Sequence, residues 1–433
     1  MTSTPDDVVD PAAAQPAHPA DPAPEAAPGA PRCSRFGLLP RILVAIVLAV
    51  LLGLVMPEPI ARVFTTFNGV FSAFLGFLIP LIIVGLVTPA IAELGRGAGK
   101  LLAATTGIAY LSTALCGLLA LGVSLALLPR MLEGAAVGAL ENPEDSAIAP
   151  YFALEIPPVF GVMTALVLSF CLGIGLTLVR RGALQESFEQ LRAIIVRIIE
   201  AIIVPLLPLY IFGMFLGLTL NGQIWAVIGT FLVVIVLVLV MTAVVLLAQY
   251  GIAGAALGRN PLRMLGRMLP AYMTALGTSS SAATIPVTAE CTKRNGVPDA
   301  IADFVIPLCA TIHLSGSTLK ITTFAVAIMV VTGMPLDVPA LIGFVLMLGV
   351  VMIAAPGVPG GAIMAAAGVL TSLLGFDEAA VGLMIAAYIA IDSFGTATNV
   401  TGDGAIAAVM TRLSRGRVEG DLTAREHEHV HGV

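Results

Sequence analysis

Charge is scarce in this chain. Asp, Glu, Lys and Arg together make 11% of its 433 residues, while 58% are apolar and the mean hydropathy is +1.01. Soluble domains carry about 25% charged residues, so an ordinary soluble fold is excluded. The net charge of −6 says little, because the placement of charges matters more than their sum, and no nucleic-acid partner is expected. Cysteines are few. The five, at 33, 116, 171, 291 and 309, show no paired spacing, and four lie in apolar or membrane-flanking sequence, where they read as buried, reduced thiols. There is no GxxxxGK[ST] loop, so ATP hydrolysis within the chain is not expected. Ser279–Ser281 with Lys320 or His313 could be imagined as nucleophile and base, but no nucleophile-elbow pattern or metal-ligand spacing accompanies them, so an enzyme is not expected.

What is abundant is apolar sequence. IWAVIGTFLVVIVLVLVMTAVVLLA (224–248) exceeds the roughly 20 residues that cross a bilayer. Candidate spans fall at about 37–56, 64–94, 101–129, 155–180, 192–220 and 224–251, an all-α polytopic pattern. Arg32, Arg35 and Arg41 precede the first span; Arg96 and Lys100 follow the second, Arg180 and Arg181 the fourth, and Arg259, Arg263 and Arg267 the sixth. The intervening loops are acidic or nearly uncharged, which places the N-terminus in the cytoplasm, and Arg412, Arg415 and Arg417 place the C-terminus there too. Residues 1–34 are Pro/Ala/Asp-rich without an apolar run and read as a disordered tail, not a signal peptide. His427, His429 and His431 read as part of a solvated tail, a metal site there being the alternative.

Beyond residue 260 the pattern changes. The apolar stretch 268–289 is interrupted by TSSSAATIP (278–286), and 339–375 by APGVPGGA (355–362). Such breaks at membrane depth leave backbone groups unpaired unless protein or a cavity surrounds them. Two broken segments in matching positions point to a transporter site, with two kinked helices as the alternative. Between them, 298–331 is interrupted at ATIHLSGST (310–318), where Gly316 suggests unwinding. The last span, 378–411, carries DSFGTATNVTGD, whose Asp392, Thr396, Asn399 and Asp403 are spaced by four, three and four. At about 100° per residue these four share one helix face, and such a face is costly in lipid. Two broken hairpins alternating with two polar spans form an inverted-repeat pattern.

These motifs resemble those of the dicarboxylate/amino acid:cation symporters, the glutamate-transporter-like family. TSSSAATIPVT resembles its serine-rich first re-entrant hairpin, IPLCATIHLSGST its seventh-span motif PLGATINMDGT, GVPGGAIM its second hairpin tip, and DSFGTATNVTGD its eighth-span substrate motif. The likeness is strong over about 260–412 and moderate before that. It implies eight spans plus two re-entrant hairpins, a homotrimer, and an elevator-like movement of substrate and cation across the bilayer. It also implies a scaffold-containing part at 35–258, a transport core at 259–413 and a cytoplasmic tail after 414. The connection 130–154 is short for the helical pieces the family often has there.

By the same resemblance, substrate contacts fall at Ser280, Ser281, Ser317, Gly357, Val358, Gly360, Asp392, Gly395, Thr396 and Asn399. The aspartate matching Asp392 binds the amino group in amino-acid-carrying members and is missing from dicarboxylate carriers, so an amino acid is expected. Asn399 matches the residue that binds the α-carboxylate, helped by Ser280 and Ser281. Acidic-amino-acid carriers have an arginine where this chain has Gly395. A second carboxylate without that fork would cost several kcal/mol, so a small neutral amino acid such as serine, threonine or alanine is expected. Gly395 could instead only make space. The alternatives are an acidic or dicarboxylate substrate, or a channel-like member.

No cofactor is implied apart from Na+ and/or H+ as coupling ion. Asn399 and Asp403 match sodium ligands, and Cys309, Thr311, His313, Ser315 and Lys320 fall in the ion-coupling region. Here the chain departs from the family: His313 stands for a ligand asparagine and Ser315 for a ligand aspartate. His313, with Lys320 on roughly the same face and Asp392 or Asp403 as carboxylate partner, could replace sodium or carry a proton. The alternative is that His313 packs and Lys320 snorkels.

Overall fold

The computed structural model describes residues 38–96, 100–132, 148–180, 182–222, 224–355 and 360–414, and every regular element among them is helical. Most of the 130–154 connection, Gly357 and Val358, and the His-bearing tail lie outside these residues. The helices are α1 (Leu38–Gly53), α2 (Glu58–Arg96), α3 (Lys100–Met131) and α4 (Val162–Leu178). Then α5 (Ala183–Ile198) runs through a π-helical stretch (Ile199–Ile203) into α6 (Val204–Leu220), followed by α7 (Ile224–Leu257) and the short α8 (Pro261–Arg267). The remainder are α9 (Leu269–Thr278), α10 (Ser281–Arg294), α11 (Asp299–Ile312), α12 (Ser315–Val331), α13 (Val338–Met352), α14 (Gly361–Leu374), α15 (Glu378–Ala390) and α16 (Asp392–Ser414).

Among the described residues, five stretches are long and apolar enough to cross a bilayer as single spans: 58–92, 101–131, 183–220, 227–257 and 299–331. The bent pair α15 and α16, which turns through 64°, makes a sixth. The expected first and fourth spans correspond to α1 and α4, of 16 and 17 residues. The fourth begins at Val162 rather than near 155, because Pro157 and Pro158 deny the helix its backbone donors and hold the chain extended. Leu43, Val44, Val47, Leu51, Trp225, Val236 and Val240 lie exposed along α1 and α7, as side chains facing lipid do. Cys116, Cys291 and Cys309 are buried free thiols, as expected, whereas Cys171 on α4 is exposed, because it lies on that helix's outward face.

Both interrupted segments are hairpins. α9 packs against α10, and α13 against α14. Their arms have 10, 14, 15 and 14 residues, each short of the roughly 20 that span a bilayer. At the first tip Ser279 has φ = 50°, the only positive φ outside glycine among the described residues. That left-handed residue costs about 1–2 kcal/mol and sharply reverses the chain.

The seventh-span break is not at Gly316. The chain leaves the helix at His313 and Leu314 and re-enters it at Ser315, so Gly316 lies in the first turn of α12. Its missing side chain serves close approach instead: a Cβ there would meet Thr398 Cβ at 2.6 Å and Gly395 O at 2.8 Å. α16 is rich in Gly, Ala and Thr and buried along nearly its whole length. It packs on α7, α9, α10, α11 and α12, while α12 also packs on α3. Small residues permit this backbone proximity, which concentrates the polar stripe of α16 among neighbouring helices rather than lipid.

Candidate functional site

The first hairpin tip, the break between α11 and α12, and the start of α16 enclose a small pocket. Ser279, Ser281, Thr311, Leu314, Ser317, Tyr388, Asp392, Thr396 and Asn399 line it, with Ala310, Ala355 and Ala362. All four residues of the polar stripe are buried; Asp392, Thr396 and Asn399 line the pocket, while Asp403 does not. Ser281, Ser317, Asp392, Thr396, Asn399 and Thr311 of the expected set meet here. Ser280 serves the tip itself: its side chain caps α10, accepting from Ala283 N at 3.3 Å. Thr396 Oγ1 donates to Asp392 O within its own helix at 3.2 Å, and Thr311 Oγ1 to Leu308 O at 2.8 Å.

Asp392 is held from two sides. Its Oδ2 accepts from Gly360 N at 2.9 Å, at the N-terminal end of α14, where the helix dipole favours a carboxylate. Gly360 has φ = 75°, which glycine adopts without strain. Asp392 Oδ1 lies 3.4 Å from Lys320 Nζ. Lys320 is fully buried, and its Nζ also donates to Ile391 O at 3.2 Å and lies 3.8 Å from the Tyr388 ring centroid. Ile391 caps the C-terminus of α15, so a helix dipole and an aromatic face both favour the ammonium. The ion pair itself is loose: charge-assisted N–H···O bonds typically measure about 2.7–2.9 Å.

A Cβ placed on Gly395 would collide with Lys320 Cε and Nζ. The space that Gly395 leaves is therefore filled, by a cation arriving from α12.

Asn399 ties α16 to the start of α12. Its Oδ1 accepts from Gly316 N at 2.8 Å and Ser317 N at 3.3 Å, and its Nδ2 donates to Ser317 Oγ at 3.1 Å. Ser317 Oγ also accepts from Tyr388 Oη at 2.9 Å. These bonds satisfy backbone donors that a helix start leaves open, and they leave one Nδ2 hydrogen of Asn399 for the pocket.

A second polar cluster lies deeper. His313 Nδ1 is 2.8 Å from Asp403 Oδ1, with both side chains buried. His313 Nε2 is 3.1 Å from Ser112 Oγ, and Gln249 Nε2 donates to Ser112 Oγ at 3.1 Å and to Ser315 Oγ at 3.5 Å. The amide nitrogen can only donate, so Ser112 accepts from Gln249, and its hydroxyl joins that amide to the imidazole of His313 and through it to Asp403. Asp403 Oδ2 and Gln249 Oε1 are buried without a partner among the described residues.

Lys320 does pair with one of its two expected carboxylates, Asp392, but the helix face expected to carry it together with His313 is not continuous. The backbone leaves the helix at His313, so no common face carries both residues, and each pairs with a different aspartate. Cys309 packs among apolar residues, and its carbonyl accepts from His313 N at 2.9 Å. Sequence reasoning missed Tyr388, Ser112 and Gln249. Each is a lone polar residue in an apolar span, and none sits in a motif. Their partners are 66 to 201 residues away.

Residues 38–413 match the profile of the sodium:dicarboxylate symporter family. Among curated proteins, excitatory amino acid transporter 1 of Rattus norvegicus is 35% identical over 257 residues, covering 58% of this chain and 46% of that protein. Excitatory amino acid transporter 4 of Mus musculus is 32% identical over 243 residues, 54% and 42% of the two chains. Excitatory amino acid transporter 3 of Oryctolagus cuniculus is 31% identical over 258 residues, 58% and 48%. The chain spans about half the length of the curated relatives it matches.

Proposed function

The chain belongs to the sodium:dicarboxylate symporter family, and from that premise we propose that it is a secondary transporter carrying an acidic amino acid with sodium. The observation that carries this reading is the pairing of Asp392, which lines the pocket, with the buried Lys320, one carboxylate and one ammonium. A zwitterion with a second carboxylate is complementary to both. The family's name supports two carboxylates, and the relatives' names support an amino acid. The expectation of a small neutral substrate rests on the absence of a cation at Gly395, and Lys320 removes that premise.

In this reading Asp392 takes the substrate ammonium. The remaining Nδ2 hydrogen of Asn399 and the serines of the first hairpin tip take the α-carboxylate. Sodium is the second cargo, and the residues present suit it: among the described residues Asp403 Oδ2 is a buried, unpartnered hard oxygen. The helices α9–α16, with α3 and α7 packed on them, act as the moving core of an elevator, in a homotrimer whose two termini face the cytoplasm.

The test uses the full chain in proteoliposomes, with sodium and proton gradients imposed separately. Labelled aspartate is expected to accumulate under the sodium gradient and to be displaced by unlabelled glutamate but not by serine or alanine. Uptake of serine untouched by aspartate, or uptake driven by a proton gradient without sodium, would overturn the assignment. Flux that never exceeds equilibrium would indicate a channel.

A further inference from the structure

We propose that Lys320 is the residue that selects an acidic side chain, by exchanging its partner from Asp392 to the second carboxylate of the substrate. The inference rests on the acidic-amino-acid reading above and adds the residue and the exchange.

Four observations point to it. Lys320 Nζ occupies the space over Gly395, which is next in sequence to the pocket-lining Thr396 and about one turn from Asp392. The ammonium is buried, so a carboxylate brought to it meets little competition from water. Its present bond to the Asp392 carboxylate is long, at 3.4 Å, while the carbonyls of Ile391 at 3.2 Å and Asp392 at 3.4 Å and the Tyr388 ring hold it in place without that carboxylate. Asp392 in turn keeps the Gly360 N–H when Lys320 leaves it.

Charges balance through the exchange. Before binding, one ammonium faces one carboxylate. Afterwards the substrate ammonium faces Asp392, Lys320 faces the substrate's second carboxylate, and the α-carboxylate goes to the hairpin tip and Asn399. No buried charge is left alone at either stage, which a neutral substrate cannot achieve, since its amine would displace Lys320 and leave that ammonium without a carboxylate. A dicarboxylate without an amine fails the other way, by taking Lys320 and leaving Asp392 without its cation. The pair thus accepts a substrate carrying both groups and disfavours each partial match.

The experiment compares L-aspartate with its isosteric amide L-asparagine, and with succinate, by competition against labelled aspartate in the proteoliposomes described above. Unaltered protein is expected to prefer aspartate over either by about 10- to 150-fold, the range for a hydrogen bond to a charged group. Lys320→Met is expected to lose that preference between aspartate and asparagine, while Lys320→Arg keeps it. Gly395→Arg alone is expected to fail by collision with Lys320, and Lys320→Ala with Gly395→Arg to restore the preference. Equal affinity of unaltered protein for aspartate and asparagine overturns the proposal, and this needs no variant to fold. So does a Lys320→Met protein that weakens both ligands equally, the mark of a structural counter-ion only. Absence of any sodium-driven amino-acid uptake would instead defeat the function itself.

Discussion

Gly316→Ala places one methyl group where the seventh and eighth spans touch. The new Cβ would lie 2.6 Å from Thr398 Cβ, 2.9 Å from Thr398 Cγ2 and 2.8 Å from the Gly395 carbonyl oxygen. Ordinary contact begins near 3.4 Å, so α12 must withdraw from α16 by about 0.6–0.8 Å. Neither neighbour yields easily, since one is backbone and the other a β-branched side chain on a buried helix. The same shift stretches the bonds from Gly316 N and Ser317 N to Asn399 Oδ1, now 2.8 and 3.3 Å, toward or beyond the hydrogen-bond limit. Overpacking costs about 1–3 kcal/mol, and each lost bond about 0.5–1.5 kcal/mol. Together they destabilise by about 2–6 kcal/mol, and Asn399 loses its orientation toward the pocket. Thermal unfolding in detergent should show a lower midpoint, and substrate KM should rise. The control is Gly343→Ala on α13, which meets nothing within 4 Å and should be neutral or stabilising by about 0.5–1 kcal/mol. If Gly316→Ala unfolds at the wild-type temperature with an unchanged KM, the claim that this glycine sets the helix spacing is wrong.

Substitutions at two further positions probe the partners of Asp403 and of Lys320. His313→Ala removes the side chain that meets Asp403 Oδ1 and should cost about 1.5–3 kcal/mol in sodium-free buffer; raising sodium should recover more stability in the variant than in the parent, and equal recovery in both would argue against a cation at Asp403. Tyr388→Phe keeps the ring under Lys320 and loses only the bond to Ser317 Oγ, about 0.5–1.5 kcal/mol. Tyr388→Leu loses both, adding up to about 2 kcal/mol for a desolvated cation–π contact; equal unfolding temperatures for the two variants would discount that contact.

Much of the architecture is legible in the sequence because lipid imposes a length and an apolar composition on every span. The two hairpins are legible for the converse reason: a serine run or a Pro/Gly cluster within an apolar stretch must be enclosed by protein. The stripe on α16 follows from helical period alone. What is not legible comes from contacts across long separations. Gly316 reads as an unwinding point, yet the helix breaks at His313 and Leu314, and the glycine answers to Thr398 on another helix. His313 and Lys320 are close in sequence and read as partners, but the break between them sends one to Asp403 and the other to Asp392. Tyr388, Ser112 and Gln249 carry no motif, and only their partners give them meaning.

By itself the sequence determined that this is a polytopic helical membrane protein with two interrupted hairpins and a buried polar stripe, because bilayer thickness and helical period act on local runs of residues. Its motifs also pointed to the family. Only the tertiary structure decided which charges meet, because a lysine's reach over a glycine on a different helix leaves no trace in spacing. Gly395 looked like a missing cation. Folding brings Lys320 to that place, and the substrate class argued from the absence changes with it.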